Sequence, residues 1–346
     1  MAPGAFRFFL ATVVLAFHYS SFGVGHTPVY LFFALSGYWV YSMWQNKYES
    51  TRAPYMTFVI SRIWRLAPVF LLCSLSALAI ATILPHIVQP KVPFAPVDAL
   101  AWLSSFVLLG YNTASGTPLV PAWSLDVELQ FYFVAPLIIV LLQKRPVLLV
   151  GVCLLASIAS IVMFYDRAFM SYLPWFVSGI LAAKYPAIRP TRPVAMGSAA
   201  HTLLVIAVFA CVPALRPVLF GGAHHSPLYV AYNPILNIGL AVLALPFAFS
   251  TVTMRSGWFD RFLSDASYSL YLVHWLPLLF VSHYATHLSS LPSPRRALAT
   301  VPLIVLSFAM SAAMTQFVDR PCSRMRERFV RLRRTDNEPA PVGVTY

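Results

Sequence analysis

Charge is what this chain has least of. Only 10% of its 346 residues are charged, 24 Lys or Arg and 11 Asp or Glu, where a soluble domain carries roughly 25%. With 59% apolar residues and a mean hydropathy of +0.72, that deficit excludes a water-soluble globule and leaves no stretch for a large soluble domain. Cysteine is scarce as well. Cys73, Cys153, Cys211 and Cys322 lie in or beside apolar runs with no paired spacing, which argues against both a disulfide framework and a metal site. The first apolar run lacks a small-residue cleavage site, so it is expected to remain in the protein rather than act as a signal peptide. The net charge of +13 does not point to nucleic acid, because the basic residues cluster in short segments between apolar runs, as in cytoplasmic loops of membrane proteins.

What the chain does have is a series of long apolar runs. Ten are expected to cross a bilayer: 5–22, 28–45, 66–86, 121–142, 146–164, 168–184, 199–215, 228–250, 266–284 and 297–318. The run at 97–111 is shorter and is expected to be a re-entrant or interfacial helix on the outer side. Placing both termini in the cytoplasm puts eighteen Lys and Arg inside and five outside, Arg7 set apart. Letting 97–111 cross would destroy that asymmetry. The expected fold is therefore an all-α polytopic membrane protein. Residues 1–320 form one transmembrane domain. Residues 321–346 form a basic cytoplasmic tail, amphipathic against the anionic leaflet and disordered at its end.

Polar side chains inside these runs are the candidates for function. A charged group near the centre of a span costs roughly 2.5–3.5 kcal/mol on insertion scales, so it needs a partner or a task. Arg7 and His18 are eleven residues apart, about three helical turns, so they share a face at ~16 Å separation. The arginine then sits at an interface and the imidazole near mid-membrane. Arg62 and Arg65, three apart just before a span, project from one helix face. They suit a bidentate grip on a phosphorylated ligand or on lipid headgroups. In PAWSLDVELQFYF, Glu128 lies about two turns inside a span, flanked by Trp123 and Tyr132, and an uncompensated carboxylate there is costly. In SYSLYLVHW, Tyr271 and His274 share a face at i, i+3. Ser36 and Gly37, small residues amid large ones in FFALSGYW, permit close approach of a helix or a ligand. Asp319 and Arg320 close the last span at the inner face.

Six of these pieces together resemble the acyltransferase-3 family of integral-membrane acyltransferases. They are the Arg7/His18 pair, FFALSGYW, the RIWR stretch around Arg62 and Arg65, WSLDVELQFY, SYSLYLVHW and the closing DRP. The closing motif of the family usually begins with Glu, where this chain has Asp319. The resemblance implies a membrane O-acyltransferase moving an acyl group, usually acetyl from cytoplasmic acetyl-CoA, to a hydroxyl of a sugar or other acceptor. It implies that His18 is the essential histidine and that Arg7, Arg62 and Arg65 are the essential arginines, here holding the acyl donor. Some members carry a fused soluble domain that completes transfer, so a separate extracytoplasmic partner or direct transfer is expected here. Glu128 and His274 join His18 as candidate catalytic residues, and Trp123, Tyr132, Tyr271 and Ser36 as candidate substrate contacts. The expected acceptor is a cell-surface or lipid-linked glycan, with no metal and no nucleic acid, in the inner or plasma membrane. The competing class is a permease or flippase without covalent chemistry, since buried His, Glu and Arg also mark transport pathways. No inverted repeat supports it.

Overall fold

The computed structural model of the protein describes residues 1–83, 96, 98–164, 168–221, 225–279 and 293–335. The ends of the crossings expected at 66–86 and 266–284 lie outside them, as do Asp166, Arg167, His224 and the chain beyond Thr335. Among the described residues all regular structure is helical, apart from isolated bridges Phe22–Phe220 and Thr51–Arg334. In chain order the helices are α1 (Pro3–Tyr19), α2 (His26–Met43), α3 (Pro54–Ile83), α4 (Ala99–Val107), α5 (Trp123–Lys144), α6 (Pro146–Phe164), α7 (Leu173–Lys184), α8 (Arg192–Cys211), α9 (Arg216–Leu219), α10 (Pro227–Thr251), α11 (Trp258–Val273), α12 (Ser293–Met314) and α13 (Arg320–Arg331).

Six stretches among the described residues are long and apolar enough to cross a membrane: Pro54–Ile83, Val120–Lys144, Pro146–Met163, Arg192–Cys211, Pro227–Thr251 and Thr300–Arg331. The protein is a multi-pass membrane protein on that basis. Helix α1, with 17 residues, falls just short of the ~20 that span a hydrocarbon core. Helix α7 covers 12 residues of the crossing expected at 168–184. Helix α4 has nine residues, ~13 Å at 1.5 Å per residue, less than half a bilayer core. Helix α3 is the opposite case. Its 30 residues extend ~45 Å, and it begins at Pro54, twelve residues before the apolar run at 66. Proline suits a first turn, where its missing N–H costs nothing. The helix then runs unbroken through Arg62 and Arg65 into the apolar segment.

The chain divides into two compact units. One comprises Met1–Ser42, Leu141–Ser160 and Met170–Ser267; the other comprises Met43–Val140, Ile161–Phe169 and Tyr268–Tyr346. In the first, Phe6 and Leu10 of α1 are buried with Leu31, Ala34 and Leu35 of α2, Ala182 of α7, and Ala244, Ala248 and Phe249 of α10. Helices α2 and α7 approach at two glycines: a Cβ on Gly37 would run into the Phe176 carbonyl, and one on Gly179 into the Ala34 carbonyl. Gly37 is thus explained by helix packing. Asp260 of α11 caps α1 from outside it, accepting from the backbone N–H groups of Gly4 (3.1 Å) and Ala5 (2.7 Å). A carboxylate at a helix N-terminus satisfies orphan donors and complements the helix dipole. At the other end of α1, a buried amide network fixes the turn after the helix. Asn233 and Asn237 of α10 each donate to the Gly23 carbonyl (2.9 and 2.8 Å), and Asn237 accepts from the Thr27 N–H and hydroxyl (2.9 and 3.0 Å).

In the second unit, α13 packs against α3. Its end is stitched to the segment before α3, with Arg52 N–H donating to the Arg333 carbonyl (3.0 Å) and Thr335 N–H to the Ser50 carbonyl (3.2 Å). Asp126 of α5, fully buried, accepts from the backbone N–H groups of Gly110 (3.2 Å) and Asn112 (2.9 Å), which pins the loop after α4.

Candidate functional site

The first unit carries Arg7, His18 and Ser36. Viewed down α1 at ~100° per residue, Arg7 and His18 point within about 20° of each other. Between them on that face stand Ala11 and Val14, both buried, while the opposite face exposes Phe9. That shared face is the packed side of the helix, and both side chains are partly buried. His18 sits in the last turn of α1, one residue before the helix ends at Tyr19. Its ring meets Phe17 edge-on, centroids 4.9 Å apart. Ser36 is buried on α2 beside the Gly37 crossing.

The second unit carries the other seven candidates and brings several together on α3 and α5. Arg62 is buried and donates from Nη2 to the Tyr48 hydroxyl (2.6 Å). That hydroxyl also bonds Ser61 Oγ (2.8 Å). The guanidinium carbon of Arg62 lies 5.5 Å from the ring centroid of Tyr48, 5.6 Å from that of Phe58 and 5.8 Å from that of Tyr132. Three aromatic faces around one cation stabilise it where water is scarce. Tyr132 in turn donates to Glu128 Oε1 at 2.5 Å. The carboxylate thus has the partner that its depth demanded, one helical turn away at i, i+4.

Arg65, one turn along α3, donates from Nη1 to both carboxylate oxygens of Asp319 (2.5 and 2.7 Å). Its guanidinium also lies 5.0 Å from the Tyr268 ring centroid, and the Tyr268 hydroxyl donates to the Leu66 carbonyl (2.7 Å). Tyr271 shares a hydrogen bond with Ser124 Oγ of α5 (2.7 Å), one residue from Trp123. His274 is fully buried, its Nδ1 against the Leu270 carbonyl (2.9 Å) and its ring 6.5 Å from that of Tyr271. The helix breaks at His274 and resumes at 275–279. Pro277 accounts for the break, since it cannot donate to the carbonyl four residues back.

Sequence reasoning missed Tyr48 and the partnership of Asp319 with Arg65. Each ends a five-residue π-helical turn, Trp44–Tyr48 and Thr315–Asp319. A π turn inserts one residue into the helical register and re-aims the side chains beyond it, a device frequent at functional sites. Both of these turns end on a residue that engages an arginine of α3. The phenol of Tyr48 is unusually acidic. Burial alone would raise it, but the charges of Arg62 and Lys47 and the hydrogen bonds from Ser61 and Arg62 outweigh that and bring it down to about 8.

Residues 3–315 match the family model for the acyltransferase domain of acyltransferase-3. The chain belongs to the acyltransferase-3 family. No curated protein and no solved structure matches it significantly. Membership of acyltransferase-3 makes this a membrane acyltransferase. The match takes in Arg7 to Glu128, Tyr271 and His274, and stops short of Asp319 and α13.

Proposed function

We propose that this acyltransferase-3 protein moves an acetyl group from cytoplasmic acetyl-CoA to a hydroxyl of a cell-surface or lipid-linked glycan, from a chain crossing the membrane ten times with both termini inside. The observation that carries this reading is the pair of arginines on α3. Arg62 and Arg65 share a helix face, are anchored by Tyr48 and Asp319, and Arg62 keeps a buried Nε with no hydrogen-bond partner. An orphaned buried donor on a cation is costly unless an anion arrives to meet it. The diphosphate of coenzyme A supplies such an anion, and planar guanidinium is the side chain best matched to it. Arg7 is a third donor contact in this reading.

His18 acts on the acceptor hydroxyl as general base, or takes the acyl group on its ring nitrogen and passes it on. In the first route the hydroxyl oxygen attacks the thioester carbonyl, its proton goes to His18, and the thiolate of coenzyme A leaves. In the second the imidazole attacks the thioester carbonyl and expels the thiolate of coenzyme A, and the hydroxyl then attacks the acyl-imidazole, its proton going to the departing imidazole. Glu128 orients or charge-balances a histidine, His274 serves as a second acid or base, and Trp123, Tyr132, Tyr271 and Ser36 contact the acceptor. The family's chemistry allows a separate extracytoplasmic transferase to finish the transfer.

The test is release of free thiol from acetyl-CoA by membranes containing the protein, with and without a crude glycan acceptor. Thiol release that depends on both protein and acceptor supports the reading. Movement of acetylated glycan across the membrane with no thiol release would show a permease instead. Mass spectrometry of surface glycans with and without the gene then identifies the acceptor.

A further inference from the structure

The tail helix α13 holds a run of arginines: Arg320, Arg324, Arg326, Arg328 and Arg331. They do not all face the same way. Arg324 and Arg328 are exposed, whereas Arg326 is turned inward. Three and four residues on, Phe329 packs its ring 5.8 Å from that of Trp64 on α3, and Val330 is buried. Residues three and four apart share a face, so Arg326 belongs to the side of α13 that meets α3. There it comes within electrostatic range of Arg62 and Arg65, and Lys47 comes within range of Arg62 and Arg326. Four cations are thereby gathered at the start of α3. Three carboxylates border these four cations: Asp319, already bonded to Arg65; Glu327, within range of Lys47 and Arg326; and Glu128, bonded to Tyr132 beside Arg62.

Positive charge therefore exceeds negative in a partly desolvated cluster, where like charges repel more strongly than in water. Two of its guanidinium groups have a buried Nε without a hydrogen-bond partner, Arg62 and Arg326. A cluster with that surplus and those unmet donors is built to receive a multiply charged phosphate. We propose that Arg326 is a further guanidinium of the acyl-donor site, beyond Arg62, Arg65 and Arg7, and that, with Lys47, it holds the phosphates at the nucleotide end of acyl-CoA. This rests on the reading of Arg62 and Arg65 as donor contacts and goes beyond it. Arg326 lies outside the residues that match the acyltransferase-3 model, on a helix that composition alone would lay on the membrane surface. The same phosphate chemistry is offered by an anionic lipid headgroup, and the experiment separates the two.

The full chain, purified in detergent, is assayed for kcat/KM with acetyl-CoA and with acetyl-pantetheine, which lacks every phosphate. Wild type is compared with Arg62→Ala, Arg326→Ala, Arg326→Lys and the exposed control Arg324→Ala. The preference for acetyl-CoA over acetyl-pantetheine is expected to fall about tenfold or more in Arg326→Ala, as the loss of a charge-assisted hydrogen bond implies. It should fall less in Arg326→Lys, which keeps the charge and folds without leaving a cavity, and stay unchanged in Arg324→Ala. If Arg62→Ala loses the preference while both Arg326 variants match Arg324→Ala, the assignment of Arg326 is overturned and the donor site on α3 stands. If Arg62→Ala also keeps the preference, the donor reading itself falls and takes this one with it. If phosphatidylglycerol raises the thermal stability of wild type but not of Arg326→Ala, and coenzyme A stabilises neither, the occupant is a lipid headgroup and the proposal is overturned.

Discussion

Arg65 and Asp319 stand 254 positions apart in the chain and meet through one guanidinium nitrogen that bonds both carboxylate oxygens. The contact fastens the π turn after α12 to α3 and fixes where Arg65 points. The carboxylate is 4% exposed and the arginine 20%, so neither charge is well hydrated.

Breaking this pair from one side should be costly. Asp319→Ala leaves the Arg65 cation without its carboxylate and is expected to destabilise the protein by about 3 kcal/mol, measured as loss of thermal stability in detergent. The double variant Arg65→Met, Asp319→Ala removes both charges and should recover most of that stability. It should not recover acyl transfer. A double variant as unstable as the single one would contradict the ion-pair account.

The acidity of Tyr48 gives a pH signature. Its folded value, about 8, lies below the ~10 of an exposed tyrosine. A depressed value means that ionisation favours the folded state. This contribution to stability is full above pH ~10, declines on acidification, and is gone below about 8. Ultraviolet absorbance should report one tyrosinate with a midpoint near 8 that vanishes in Tyr48→Phe. Arg62→Gln should move the midpoint upward, because burial is then less opposed. Wild type should also gain stability between these limits relative to Tyr48→Phe.

Glycines divide into two groups that differ in sign. Gly37 and Gly179 lie where a Cβ would overlap the backbone of the facing helix. Alanine at either forces α2 and α7 apart and is expected to cost ~2–3 kcal/mol. Gly151 of α6 and Gly239 of α10 have open space around the Cβ position. Alanine there should be neutral or stabilise by ~0.5–1 kcal/mol, through helix propensity and the unfolded chain. Thermal unfolding of the four single variants checks both directions.

The sequence disclosed the helical class, because long apolar runs leave few alternatives, and it disclosed the shared face of Arg7 and His18, because helical periodicity is local. The spacing of Arg62 and Arg65 was readable for the same reason. Their partners were not. Tyr48 lies 14 positions from Arg62 and Asp319 254 positions from Arg65, and each is aimed by a π turn that carries no compositional mark. Hydropathy also missed the start of α3. A window that scores apolarity stops at the first arginine, whereas a helix hydrogen-bonds straight through it. Arg326 was hidden among like residues; the packing of Phe329 on Trp64 of α3 and its own buried Nε single it out. The ten expected crossings compare with six stretches of sufficient length and apolarity among the described residues. Short helices such as α1 and α7 escape a length criterion that hydropathy alone does not impose.

The most direct test of the account is acetyl transfer by purified His18→Ala. The variant is expected to fold, to keep binding acetyl-CoA with wild-type affinity, and to transfer no acetyl group to the acceptor. Turnover near the wild-type rate in that variant would contradict the role given to His18 and the mechanism built on it.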